Sequence, residues 1–143
     1  MTKIIAVDPG LLTGVAVLCD GVHHSFEEPD FHDLAAFVYS QQPDVIVCEA
    51  FVIRQNTHKL DAGAFSETTD RIGAMRLLAE LAEVPFHRQT PAQAKSFATD
   101  EKLRRLGWFN PTPGGHANDA TRHLLIYLVG IKDQTTLKAL TGG

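Results

Sequence analysis

A chain of 143 residues and 15.7 kDa has room for one compact core of about two layers, which excludes a large multidomain machine. Its 44% hydrophobic and 21% charged residues are a globular rather than a disordered or fibrous composition, and no apolar run approaches the ~20 residues of a bilayer span. The formal charge of -4 speaks against a polyanionic partner, yet residues 1–53 carry -7, residues 54–105 carry +2 and residues 106–143 carry +1, so a nucleic acid would be held by the middle of the chain.

Met1-Thr2-Lys3 leads into an apolar segment without a signal-peptide pattern, so the expected location is the cytoplasm, with no membrane partner. Ile4 to Val7 is a continuous apolar run suited to a strand buried on both faces, stopped by Asp8-Pro9-Gly10. Gly14 to Leu18 is a second such run, joined to the first by a hairpin, and Asp20-Gly21 turns into a more polar edge strand over Val22–Glu27. From Pro29, Leu34, Phe37 and Val38 recur at helical spacing, with Asp30 or Asp33 available as a cap. Pro43-Asp44 ends that helix, and Val45 to Cys48 is a buried strand that a right-handed crossover lays parallel to an earlier one.

Residues 52–63 have no period and read as a polar loop. Ser66 to Asp70 opens a helix with a wide apolar stripe through Ile72, Met75, Leu77, Leu78, Leu81 and Ala82. Val84–Arg88 is the last strand, Thr90-Pro91 opens a short helix reaching Phe97, and Asp100–Leu106 adds a helical turn or two. Pro111 to Gly115 is loop, His116 to Val129 is the last helix of a single domain over residues 1–131, and residues 132–143 form a frayed tail. The order predicts an α/β fold with a mixed sheet flanked by helices: an antiparallel three-stranded meander plus two parallel strands. Cys19 and Cys48 lack CxxC spacing and read as packed thiols.

Asp8 ends one buried strand and Glu49 ends another; as parallel neighbours they stand about 5 Å apart at one sheet edge. Such like charges call for a cation, and hard oxygen donors suit magnesium or manganese. His116 and Asp119, at i and i+3 of the last helix, share a face and an end that can complete a site for two ions. Read singly, each has a plainer explanation. Asp8 is then a turn residue before Pro-Gly, His116 a helix-start residue and Asp119 a first-turn acid, while Glu49 is left desolvated without a local reason.

Ile5-Ala6-Val7-Asp8-Pro9-Gly10, Thr13-Gly14, Val45-Ile46-Val47-Cys48-Glu49 and His116-Ala117-Asn118-Asp119-Ala120 together resemble the ordered motifs of RuvC-type Holliday junction resolvases, in the version carried by bacteriophages. The resemblance implies an RNase H-like fold. It also implies a metal-dependent endonuclease of DNA recombination and repair. Its catalytic and metal-ligating residues would be Asp8, Glu49, His116 and Asp119, around two Mg2+ ions for which Mn2+ substitutes. The implied partner is branched DNA, above all the four-way junction, cut by paired hydrolysis in a homodimer; the Ile72 to Leu81 stripe is either the dimer helix or plain core packing. Lys95 matches the family's basic position near the site, and Phe51 resembles its base-stacking aromatic, offset by one position, or else caps the core.

Further DNA contacts are expected from Arg54, His58 and Lys59, and from Lys102, Arg104 and Arg105 ahead of Trp108-Phe109. His123 reads as a hydrogen-bond partner of Asp119, and Arg122 as facing solvent. The chain departs from the family in a shorter hairpin between Gly10 and Thr13, a Lys95–His116 segment poor in basic and glycine residues, and His116 where many relatives carry Asp. Rival readings are a nuclease for flaps, forks or RNA-DNA hybrids, and a catalytically silent junction-binding protein. An actin-like ATPase needs two such domains, more than this length holds.

Overall fold

The computed structural model describes residues 2–50 and 62–142. Its elements are β1 (Lys3–Asp8), β2 (Thr13–Cys19), β3 (Val22–Glu28), α1 (Phe31–Gln41), β4 (Val45–Glu49), α2 (Ala62–Ala82), β5 (Phe86–Gln89), α3 (Pro91–Phe97), α4 (Asp100–Leu106), α5 (His116–Gly130) and α6 (Gln134–Thr141). The strands form one five-stranded sheet in the order β3-β2-β1-β4-β5. The meander β1-β2-β3 is antiparallel, while β4 and β5 run parallel to β1. This is the mixed sheet that the order of apolar runs predicts.

Side chains alternate across a strand, so each buried strand serves two cores. Ile5, Val7, Val15, Val17, Ile46 and Cys48 face one way and pack with Leu34 and Val38 of α1 and Met75 and Ala79 of α2. Ile4, Ala6, Ala16, Val45 and Val47 face the other way, under Ala120, Leu124 and Leu128 of α5. Asp8 and Glu49 continue the second set and therefore project from the sheet on the α5 side.

α5 reaches that edge because Gly14 stands where it crosses. A Cβ at Gly14 would lie 1.8 Å from the His116 carbonyl oxygen, a clash with backbone that only glycine avoids. The turn before it is closed by Thr13 Oγ1 donating to the Gly10 carbonyl at 3.0 Å.

Several boundaries differ from the sequence expectation. α2 begins at Ala62, inside the expected loop and four residues ahead of Ser66, and β5 starts at Phe86 rather than Val84. Of the two candidate caps of α1, Asp30 serves: its side chain accepts from the Asp33 amide at 2.8 Å. The expected frayed tail instead contains α6. Asp133 caps it, accepting from the Thr136 amide at 3.0 Å and hydroxyl at 2.7 Å, and Arg105 donates to the Leu140 carbonyl at 2.8 Å. Both cysteines are free, with Cys48 buried and Cys19 half-buried. Among the described residues no helix is long and apolar enough to cross a membrane.

Candidate active site

The parallel pairing of β1 with β4 matches Ala6 with Val47 and Val7 with Cys48, so Asp8 and Glu49 each stand one step further at the same sheet edge. The first turn of α5 brings His116 and Asp119 over them, and Lys95 comes in from α3. These five side chains and the hairpin residues 9–12 line one open cavity of about 390 Å3. Among the described residues no three His, Cys, Asp or Glu side chains close into a preformed metal cage, so the four candidate ligands border a shared space rather than a finished coordination shell.

The electrostatics of that space are unbalanced. Burial, then a hydrogen bond to Glu49 and the negative charges of Glu49 and Asp119, pushes the Asp8 carboxyl up to about 9, and Lys95 offsets this only in part. Burial works in the same direction on Glu49. There, hydrogen bonds from His123 and Asp8, with the charges of His123 and Lys95, prevail and hold the carboxyl below its ordinary range. Burial and the facing charge thus favour a protonated Asp8 beside an ionised Glu49, an imbalance that a cation between the two acids would relieve. The Cys48 thiol, pushed far up by burial and then by Asp8 and Glu49, is a packed group and not a ligand.

Three carboxylates and an imidazole around one cavity supply hard donors of the kind that hold magnesium or manganese, and a proton shared where a dication would sit fits that group. The amino end of α5 adds positive potential: Gly115 is its N-cap and offers no side-chain acceptor, so the first amides face the cavity end uncapped.

His123 does not bond Asp119. It is 1% exposed, with Nε2 2.9 Å from Glu49 Oε2 and Nδ1 3.0 Å from Gln89 Oε1. Arg122 does not face solvent either: it donates to Asp119 Oδ1 at 3.3 Å, to the Ala98 carbonyl at 2.6 Å and to Asp100 Oδ1 at 2.5 Å. It thereby ties the site end of α5 to the α3–α4 junction. The signal for Arg122 was present as an i, i+3 acid–base pair with Asp119. Gln89 carried no local signal, since it matters only through the register of the sheet; Gly14 stood in the Thr13-Gly14 motif, but its close approach to α5 was not readable there. Glu27 of β3 leaves Oε1 buried without a partner beside Gly114, whose hypothetical Cβ would also touch the His116 ring.

The remaining expected DNA contacts divide. Phe51, Arg54, His58 and Lys59 lie outside the described residues. α4 leads away from the site. Asp100 at its start meets Arg122, whereas Leu106 just past the arginine pair lines, with Trp108, a cavity beside Ile4 and Leu18 at the opposite end of the sheet. Arg104 lies over the Phe109 ring at 4.1 Å and Lys102 over the Phe97 ring at 3.8 Å. Trp108 stacks on His23 at 4.9 Å, while Arg104 and Arg105 remain exposed on α4, apart from the carboxylates.

No protein-family profile matches the chain, and no curated protein sequence is similar enough to match. Solved structures do. The Thermus thermophilus RuvC in complex with Holliday junction substrate is 15% identical, with 92% of this chain and 96% of that chain covered at a TM-score of 0.61. A further Thermus thermophilus RuvC structure is 18% identical, with 92% and 97% covered and a TM-score of 0.54. The chain therefore has a RuvC-like, RNase H-like fold.

Proposed function

We propose that the protein is a metal-dependent, structure-selective DNA endonuclease of the RuvC type, in its phage-borne form, which resolves four-way junctions by paired phosphodiester hydrolysis. The observation that carries this reading is the meeting of Asp8, Glu49, His116 and Asp119 with Lys95 around one cavity at the carboxyl edge of β1 and β4. A silent binding module has no need of Asp8, Glu49, His116 and Asp119 gathered around one cavity.

Asp8, Glu49, His116 and Asp119 would hold two magnesium ions, which would supply Lewis acidity and charge neutralisation for in-line displacement at a phosphodiester. Asp8 and Glu49 would then both be free to act as ionised ligands, with no proton between them. Lys95, exposed on α3, is placed to donate to a non-bridging oxygen of the scissile phosphate. The uncapped amides of α5 add favourable potential for the same anion. Arg122 holds Asp119 from behind.

Paired cutting calls for two sites, and we assign the second to another copy of the chain. The α2 stripe divides in a way that supports this: Met75 is buried in the core, as is Ala79 one turn on, while Leu77 and Leu81 are 54% and 72% exposed, and Leu81 shares a cavity with Tyr39, itself 74% exposed. The two halves of the stripe lie on nearly opposite sides of the helix, so one helix can serve core and partner together.

The test is cleavage of a labelled four-way junction with Mg2+, beside a flap, a fork and an RNA-DNA hybrid, with light scattering for the dimer. Symmetric nicks in opposed strands of the junction are expected. Preferential cutting of the hybrid refutes the junction assignment, and metal-independent binding without cutting refutes the enzyme.

A further inference from the structure

His123 sits on α5 one turn past Asp119, and both of its ring nitrogens face residues of the sheet. Those residues, Glu49 and Gln89, are register partners at the ends of β4 and β5, so one ring from the helix ties down two adjacent strand ends. An ionised carboxylate only accepts, so the nitrogen facing Glu49 carries the hydrogen. On the other side of the ring, Nδ1 stands 3.0 Å from Oε1 of Gln89, itself 9% exposed, so the ring is held from both strand ends at once.

We propose that Gln89 and His123 are positioning residues: Gln89 anchors the His123 ring at Nδ1, and His123 in turn holds Glu49 in one rotamer, with Oε2 tied to the ring and the other oxygen left for a divalent cation. The purpose of this pair rests on the nuclease reading; its geometry does not. Glu49 has a side chain 24% exposed, and with the ring removed nothing on α5 restrains it. Partners that orient ligands in this way commonly change metal affinity by about 10–100-fold.

Two measurements on the full chain test it, neither requiring cleavage. In 1H–15N spectra the His123 Nε2–H is expected to be protected from exchange with water, and Gln89→Met to speed that exchange. Calorimetric titration with Mn2+ is expected to be about tenfold weaker for His123→Leu, and within about threefold of wild type for His123→Gln, whose amide still donates to Glu49. The Mn2+ concentration for half-maximal junction cleavage moves by the same factor, with junction affinity unchanged. Free exchange of that ring N–H in the wild type, or Mn2+ binding by His123→Leu equal to wild type, overturns the proposal and leaves the nuclease reading standing. A wild-type protein that binds Mn2+ but cuts no DNA refutes the nuclease and leaves the pair intact, and one that binds no Mn2+ refutes both. Should His123→Leu not fold, Gln89→Met decides, since unchanged exchange together with unchanged Mn2+ binding overturns the proposal.

Discussion

Replacing Asp8 by asparagine separates what the buried acid costs from what it does. In the unfolded chain this carboxyl titrates near 3.8, and in the folded protein without metal near 9. Between those values the folded form keeps a proton that the unfolded form gives up. The stability Asp8 contributes is therefore complete below pH 3.8 and is lost as pH rises towards 9, at about 1.4 kcal/mol per pH unit. At pH 8 the accumulated loss has a ceiling of about 6 kcal/mol, a large share of a small domain's stability. Asp8→Asn keeps the shape and a donor for Glu49 but binds no proton, so in EDTA the variant is the more stable protein, by a margin that widens by about 1.4 kcal/mol per unit from pH 6 to pH 8. His23, lowered to about 4 by burial and by His24, also makes stability depend on pH, but it does so equally in both proteins and cancels in the difference. Excess Mg2+ narrows the margin, because cations that replace the proton stabilise the wild type more than the variant. The assay is urea unfolding followed by circular dichroism at three pH values, with and without Mg2+, beside junction cleavage, which the variant loses while still binding DNA. Parallel pH profiles for the two proteins in EDTA, or undiminished cutting by the variant, would refute the reasoning.

Gly14→Ala places a methyl group 1.8 Å from the His116 carbonyl oxygen, so α5 must withdraw from the sheet; a loss of about 3 kcal/mol and of most cleavage is expected by denaturation and nicking assays, and a change under about 1 kcal/mol contradicts the close approach. Arg122→Met removes the bonds to Asp119, Ala98 and Asp100; unfolding free energy falls by about 2–3 kcal/mol and the cutting rate falls more than junction affinity, whereas a rate unchanged at lower stability would show that Asp119 holds its place unaided. Arg104→Ala and Arg105→Ala alter contacts to Phe109 and α6 at the far end of α4, so cleavage stays within about twofold of wild type and each costs about 1 kcal/mol or less; a tenfold rise in junction Kd would place DNA on that end after all.

The sheet was legible because its evidence is local. Runs such as Ile4 to Val7 and Val45 to Cys48 have no polar face and must be covered on both sides, and the carboxylate ending each run stands out against them. His116 and Asp119 were legible for the same reason, since i and i+3 on a helix share a face wherever the helix goes. Boundaries fared worse where composition is mixed. The first turns of α2 carry small residues and threonines, and α6 is held by a cap from Asp133 and a long-range bond from Arg105, which no short window contains.

The misplacement of His123 shows where local reasoning ends. Its i+4 spacing from Asp119 predicts a contact along the helix, and in an isolated helix such a pair gains about 0.2–0.5 kcal/mol. In the folded chain α5 lies across β1 and β2 and reaches β4, and the face that carries Ala120 and Leu124 into the core carries His123 with it. Once buried, the ring must find partners for two nitrogens or lose about 1–3 kcal/mol for each left unsatisfied, a penalty that outweighs the helical pair. Glu49 and Gln89, brought side by side by parallel register, are those partners, and Asp119 is left to Arg122. The ordering of the site thus follows from which polar groups the sheet buries together, information that exists only after the strands have paired.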